Sequence, residues 1–255
     1  PYHAAQYAVV ESVAKVVAAG ANYEKMRFSY QEYFERMTDD VSWGKPMAAL
    51  LGALRMQLAF GLPSIGGKDS MSGTFRDINV PPMLMAFGIT TIDARKVISP
   101  EFKTAGNKLY LIAHTPEKNF TPNIKQLKQN FSFVEENINN ENIVAAFAIG
   151  FGGVAEAVAK MSFGNEVGVK ISCDEQMLFD YNYGSILVES TKTLNYENAI
   201  LLGETISDKV LVVNNEHLLL DDLYRVNTEL FETIYPAKCA VGSVTRIADC
   251  QQISK

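Results

Sequence analysis

Residues 144–164 read VAAFAIGFGGVAEAVAKMSFG, and this run limits the fold more than any other stretch of the chain. It opens as a short apolar strand and enters Gly150-Phe151-Gly152-Gly153. It leaves as a helix from Val154, with apolar residues at three- and four-residue spacing. Similar units flank it. Strands are expected at 108–113, 167–172, 185–190, 199–203 and 209–213. Helices are expected at 124–138, from its polar, amphipathic pattern, and at 218–230. Strands alternating with helices place the chain in the α/β or α+β class.

The first part follows the same logic. Residues 7–19 place Val9, Val13, Val16 and Val17 at helical spacing before Gly20. Residues 26–28 form a short strand. Ser29, with Glu32 three residues on, forms a capping box that starts a helix over 30–37. Residues 45–60 form a second helix rich in Ala, Leu and Met, with Pro46 in its first turn. Residues 81–93 form a strand. The turn-rich connector at 99–107 divides the chain into a unit over 1–105 and another over 106–238, with a linker over 239–255.

Composition sets bounds on function. Apolar residues make up 47% of the 255, charged residues 20%, and the net charge is −6, as in ordinary globular proteins. A general nucleic-acid surface is disfavoured, because phosphate contacts need clustered Lys and Arg. No apolar run is long enough to span a membrane. Cys173, Cys239 and Cys250 share no ligand spacing and read as reduced thiols of a cytoplasmic protein. His3, His114 and His217 lie far apart, so no zinc site is expected.

Two stretches carry chemistry. Gly66-Gly67-Lys68-Asp69-Ser70-Met71-Ser72-Gly73 has the ingredients of an anion-binding bend. Its glycines permit positive φ and close backbone approach, Lys68 supplies a point charge, and Ser70 and Ser72 donate. It lacks the Walker A spacing. A tight surface turn with Lys68 and Asp69 paired accounts for it equally well. The Gly150–Gly153 turn at a helix start is either an anion site or a place where helix and strand pack closely. Glu11 and Lys15 form an i, i+4 pair on one helix face.

Three segments together resemble a known family. PSIGGKDSMSGTF over 63–75, AVVESVAKVVAAGA in the opening helix and GFGGVAEAVAKMSFGNEVG over 150–168 occur in the order found in phosphoribosylformylglycinamidine synthase, in its single-chain clostridial form. The likeness runs from about residue 2 to residue 236. It implies an aminoimidazole ribonucleotide synthetase-like unit, the second half of a duplicated synthetase region. An N-terminal subdomain would share a barrel with the missing first half, and a C-terminal α/β subdomain would follow. Beyond 239 a linker would lead to a missing glutaminase domain. The implied reaction consumes formylglycinamide ribonucleotide, ATP and glutamine, with ATP and Mg²⁺ as cofactors of the parent enzyme.

By the same resemblance, Gly66, Gly67, Lys68, Asp69, Ser70 and Ser72 line a substrate or nucleotide site, and Glu11 matches a Mg²⁺-holding carboxylate. The chain departs from the family at Lys15, where Asn is common, at Phe151, where Asp is frequent, and at Tyr181, where an acidic residue is frequent. Glu11, Lys15, Phe151, Gly152 and Gly153 therefore form a degenerate auxiliary nucleotide site. Lys15 supplies the charge a metal would bring, and Phe151 fills the phosphate space. No metal is expected, and no cofactor is assigned to the fragment itself. An inert structural repeat that stabilises the barrel is the alternative. Cut from its first half, the fragment is expected to pair with itself as a two-fold dimer.

Overall fold

The computed structural model describes residues 1–236. The expected linker at 239–255 lies outside the described residues, as do Cys239 and Cys250.

The chain opens with helix α1 (Tyr2–Ala18), which buries Ala5, Val9, Val13 and Val17 among others. Strand β1 (Arg27–Tyr33) follows. The capping signal at Ser29 predicts a helix over 30–37, and the structure corrects it. Phe28, Tyr30, Glu32 and Phe34 are buried alternately, and alternation with aromatic enrichment outweighs that local signal. The capping box belongs to the next helix, α2 (Asp40–Phe60). There the Asp39 carboxylate accepts the Ser42 N–H at 2.8 Å and the Ser42 hydroxyl accepts the Asp39 N–H at 3.1 Å. Pro46 thus lies inside that helix, not in its first turn. Gly61 ends it in the left-handed region at φ 73°.

The expected glycine bend is also corrected. Residues of that stretch form strand β2 (Ser64–Ser70), which runs parallel to β1 with Gly67 opposite Tyr30, Lys68 opposite Gln31 and Asp69 opposite Glu32. A Cβ on Gly67 would stand 2.6 Å from the Tyr30 carbonyl oxygen, so glycine permits close strand approach there. A small hairpin, β3 (Thr74–Phe75) and β4 (Ile78–Asn79), leads to β5 (Met83–Ile89), which pairs antiparallel with β1. The three-stranded sheet has the order β2-β1-β5, does not close, and leaves β2 and β5 as edges.

The second sheet has seven strands. They are β6 (Lys108–Ile112), β7 (Ile143–Ala148), β8 (Gly168–Ile171), β9 (Ile186–Ser190), β10 (Ala199–Ile206), β11 (Val210–Val213) and β12 (Glu216–Leu219), in the order β12-β11-β8-β10-β6-β9-β7. Helix α3 (Ile124–Asn139) buries Leu127, Phe131, Val134 and Ile138 at the spacing that predicts it. Helices α4 (Gly153–Phe163) and α5 (Glu175–Phe179) cover a second core. The last helix, α6 (Leu220–Glu232), starts later than the sequence pattern suggests, because 216–219 pair with β11 first.

Helix α1 joins the two parts. It packs on α2 and β5 on one side and on β7 and α3 on the other. One continuous core runs from Met26, Phe28 and Met56 through Val13 and Val17 to Phe131, Ile143 and Val188. The connector is clamped by a buried carboxylate. Glu189 on β9 accepts the backbone N–H of Lys103 at 2.8 Å and of Thr104 at 3.3 Å, and the Asn107 side-chain N–H at 2.7 Å.

Candidate functional site

The residues singled out by sequence fall into two groups, one on α1 and the glycine turn before α4, the other along the edge strand β2. The structure does not bring them together into one cluster.

The first group surrounds the glycine turn between β7 and α4. Glu11 and Lys15 on α1 form an ion pair at 2.8 Å, and Glu11 reaches toward the turn, where a Cβ built on Gly150 would lie 3.8 Å from its Oε1. Gly153 adopts φ +66°, and a Cβ there would meet the Leu178 carbonyl oxygen at 2.5 Å. That glycine answers to backbone conformation and to packing on α5. Phe151 is exposed and stacks on exposed Tyr181, with ring centroids 5.1 Å apart and planes 19° apart. Phe151 and Tyr181 thus form an exposed aromatic pair beside the turn.

Glu156 completes this group, and sequence reasoning did not single it out. Its Oε2 accepts the Gly152 N–H at 2.9 Å and its Oε1 pairs with Lys160 at 2.5 Å. The hydrogen bond from Lys160 lowers the Glu156 carboxyl below its usual range, opposed by desolvation and helped by Gly152 N–H and the nearby charge of Lys15. Tyr183, beside Tyr181, has its phenol raised by burial and by Glu11. Behind it, Tyr7 and His114 continue the aromatic cluster. His114 is buried. Its Nδ1 lies 2.8 Å from the Tyr183 carbonyl oxygen and its Nε2 accepts the Asn123 N–H at 3.1 Å. It ties the 181–184 turn to the start of α3, and burial lowers its pKa despite the Tyr183 contact.

The second group lies along β2. Gly66, Gly67, Lys68 and Asp69 are exposed, Ser70 is half-buried and Ser72 is exposed just beyond the strand. Lys68 Nζ sits 5.2 Å from the centroid of the Tyr33 ring, and the Tyr33 hydroxyl donates to Gln31 Oε1 at 3.1 Å. On the opposite face of β1, Glu32 is buried with no hydrogen-bond partner on either carboxylate oxygen. Burial, and then the charge of Asp69, push its pKa up to about 7. Read as a strand, 28–34 would have placed Glu32 on the inner face, so the wrong period hid it.

An open groove of about 860 Å³ runs between α1 and strands β5 and β1. Glu11, Ser12 and Lys15 of α1 form its polar wall, with Ser29 and Gln31 of β1 on the sheet side. Gln31 is opposite Lys68 in register, so the groove reaches the neighbourhood of β2 through the sheet.

The donor set does not suit Mg²⁺. Oxygen ligands are what that ion demands. Here Glu11 is engaged by Lys15, while Phe151 and Tyr181 stand on the two turns that face it. Among the described residues no group of three His, Cys, Asp or Glu side chains is placed to hold a metal. No helix of the described residues is long and apolar enough to cross a membrane.

No family model matches the chain. Among curated proteins it is similar to phosphoribosylformylglycinamidine synthase subunit PurL of Picrophilus torridus, with 25% identity over 250 residues. The match covers 87% of this chain and 32% of that protein, so the chain spans about a third of its relative. Among solved structures it resembles Thermotoga maritima PurL complexed with AMPPCP, at a TM-score of 0.65 and 14% identity over 87% of this chain and 41% of that one. It also resembles the hydrogenase maturation protein HypE of Escherichia coli, at a TM-score of 0.64 and 14% identity over 84% of this chain and 78% of that one. The resemblance read from the three motifs is recovered along most of the chain, and the fold is the one PurL and HypE share, an α+β aminoimidazole ribonucleotide synthetase-like fold.

Proposed function

We propose that this chain is the second half of the synthetase region of a phosphoribosylformylglycinamidine synthase, an ATP-dependent carbon–nitrogen ligase of purine biosynthesis in the cytoplasm. Residues 1–105 act as the barrel-forming subdomain and 106–238 as the α/β subdomain. Glutamine supplies the ammonia in the parent reaction, through a glutaminase domain outside this chain. The observation that carries the reading is the similarity to PurL over 87% of the chain. Solved structures of T. maritima PurL include complexes with ATP and with FGAR, which fits a nucleotide and a ribonucleotide substrate in the parent.

In this reading β2 forms one wall of the substrate site. Gly66 and Gly67 bring bare backbone to the surface, Lys68 presents an ammonium braced on Tyr33, and Asp69, Ser70 and Ser72 add polar contacts. The free edges of β2 and β5 and the exposed apolar side chains Ile65, Phe87 and Ile89 are the surface that the first half covers. Alone, the fragment is expected to be inactive and to use the same surface to form a two-fold dimer.

The test is Lys68→Ala in the full enzyme. A role in the site lowers kcat/KM by a factor of about 100 or more with little change in Tm. The alternative is an inert repeat that stabilises the barrel, favoured by the absence of a Mg²⁺ donor set at the glycine turn. It requires unchanged kcat/KM, with the cost appearing in thermal stability.

A further inference from the structure

We infer that Glu156 is a built-in anion that closes the glycine turn, so that this unit carries as a side chain the negative charge that a phosphate would otherwise bring. The inference rests on the reading of that turn as a converted nucleotide position.

Gly152 supplies the argument. Its φ of −85° is ordinary for any residue, so backbone freedom does not explain a glycine there. Space does. A Cβ on Gly152 would stand 2.4 Å from Glu156 Cβ and 2.5 Å from Glu156 Oε2. The glycine is what lets this carboxylate lie against the turn and take the Gly152 N–H at 2.9 Å. Its neighbour Gly153 is accounted for differently, by positive φ and by contact with α5.

Three groups around the Glu156 carboxylate suit an anion. The N–H comes from the start of α4, Lys160 pairs from the next turn of that helix, and the charge of Lys15 acts from α1. Glu11 is the one carboxylate beside the turn on α1, and Lys15 neutralises it at 2.8 Å. A phosphate approaching Gly152 therefore meets a seated carboxylate whose donors are already used. It must break two charge-assisted contacts to enter. Glu156 acts as an exclusion residue, and the unit needs no bound nucleotide to satisfy this helix start.

Anion rescue tests this. Thermal unfolding of the 255-residue chain is measured with increasing inorganic pyrophosphate, at matched ionic strength, for the native chain, Glu156→Ala and Glu156→Gln. The native chain should show no dependence on pyrophosphate. Glu156→Ala should melt several degrees lower and recover in a saturable way. Glu156→Gln, whose amide oxygen still accepts the Gly152 N–H, should respond less than Glu156→Ala. If Glu156→Ala does not fold, Glu156→Asp, one methylene too short to reach the amide, takes its place. A melting point of Glu156→Ala that stays flat with pyrophosphate overturns the inference and leaves the parent reading intact. Stabilisation of the native chain by Mg-ATP, abolished by Lys15→Ala, overturns the reading of the turn as converted, and this inference with it.

Discussion

Glu189 and Lys103 stand 86 positions apart in sequence, yet the buried Glu189 carboxylate holds the Lys103 backbone N–H at 2.8 Å. Two further donors, from Thr104 and Asn107, converge on the same group. The connector between the two sheets is therefore fixed by side-chain chemistry, even though its own sequence is turn-rich. Glu189→Ala strands three donors and should cost about 3 kcal/mol. Glu189→Gln keeps an acceptor and should cost about half as much. Urea unfolding of both variants measures this, and a loss under about 1 kcal/mol for the alanine variant would mean the clamp is dispensable.

Glu32 predicts an inverted pH response. Its folded pKa is raised from 4.5 to about 7, so the folded state holds a proton that the unfolded chain releases earlier. Its contribution is present below pH 4.5 and is lost as pH rises through 7. Glu32→Gln should therefore stabilise the protein by roughly 2–3 kcal/mol at pH 8. The gain should shrink toward zero near pH 4.5. A gain that is the same at both pH values would show that Glu32 does not titrate in this window.

His114 works in the other direction. Burial lowers its pKa from 6.5, so the folded state resists the proton that the unfolded chain accepts. Its contribution is present above pH 6.5 and falls as pH drops below that value. Protonation would also remove the Nε2 lone pair that accepts the Asn123 N–H. Relative to His114→Gln, the native chain should lose stability between pH 7 and pH 5, against the opposite slope that Glu32 gives to both proteins. Chemical denaturation at half-unit pH steps gives the comparison.

Gly67→Ala separates two roles for the glycine pair. The added methyl would press on the Tyr30 carbonyl at 2.6 Å, so the β1–β2 pairing should weaken. The expected cost is about 1–3 kcal/mol, with faster amide exchange along 64–70. Gly66→Ala has open space around its Cβ and should be nearly neutral for stability. Equal losses at both positions would contradict a register that sets Gly67 against Tyr30.

Much of this fold was legible because its periods are clean. Leu127, Phe131, Val134 and Ile138 announce α3, and the unbroken apolar run before Gly150 announces β7. The first sheet was harder. In FSYQEYF the alternating aromatic residues compete with a Ser-x-x-Glu capping signal, and only packing against α1 and α2 decides between them. The stretch at 66–70 carries no apolar alternation, so its strand character comes from its partner β1 and not from itself. The glycine turn was visible as a turn. Its carboxylate was not, because Glu156 looks like any solvent-facing helix residue until the missing Cβ of Gly152 is placed beside it.

Helix α1 touches both sheets and shares one apolar core with each of them. It works as a keel: neither half can loosen without exposing the other's foundations. Heat should therefore melt the two as a single cooperative unit, seen as one calorimetric peak.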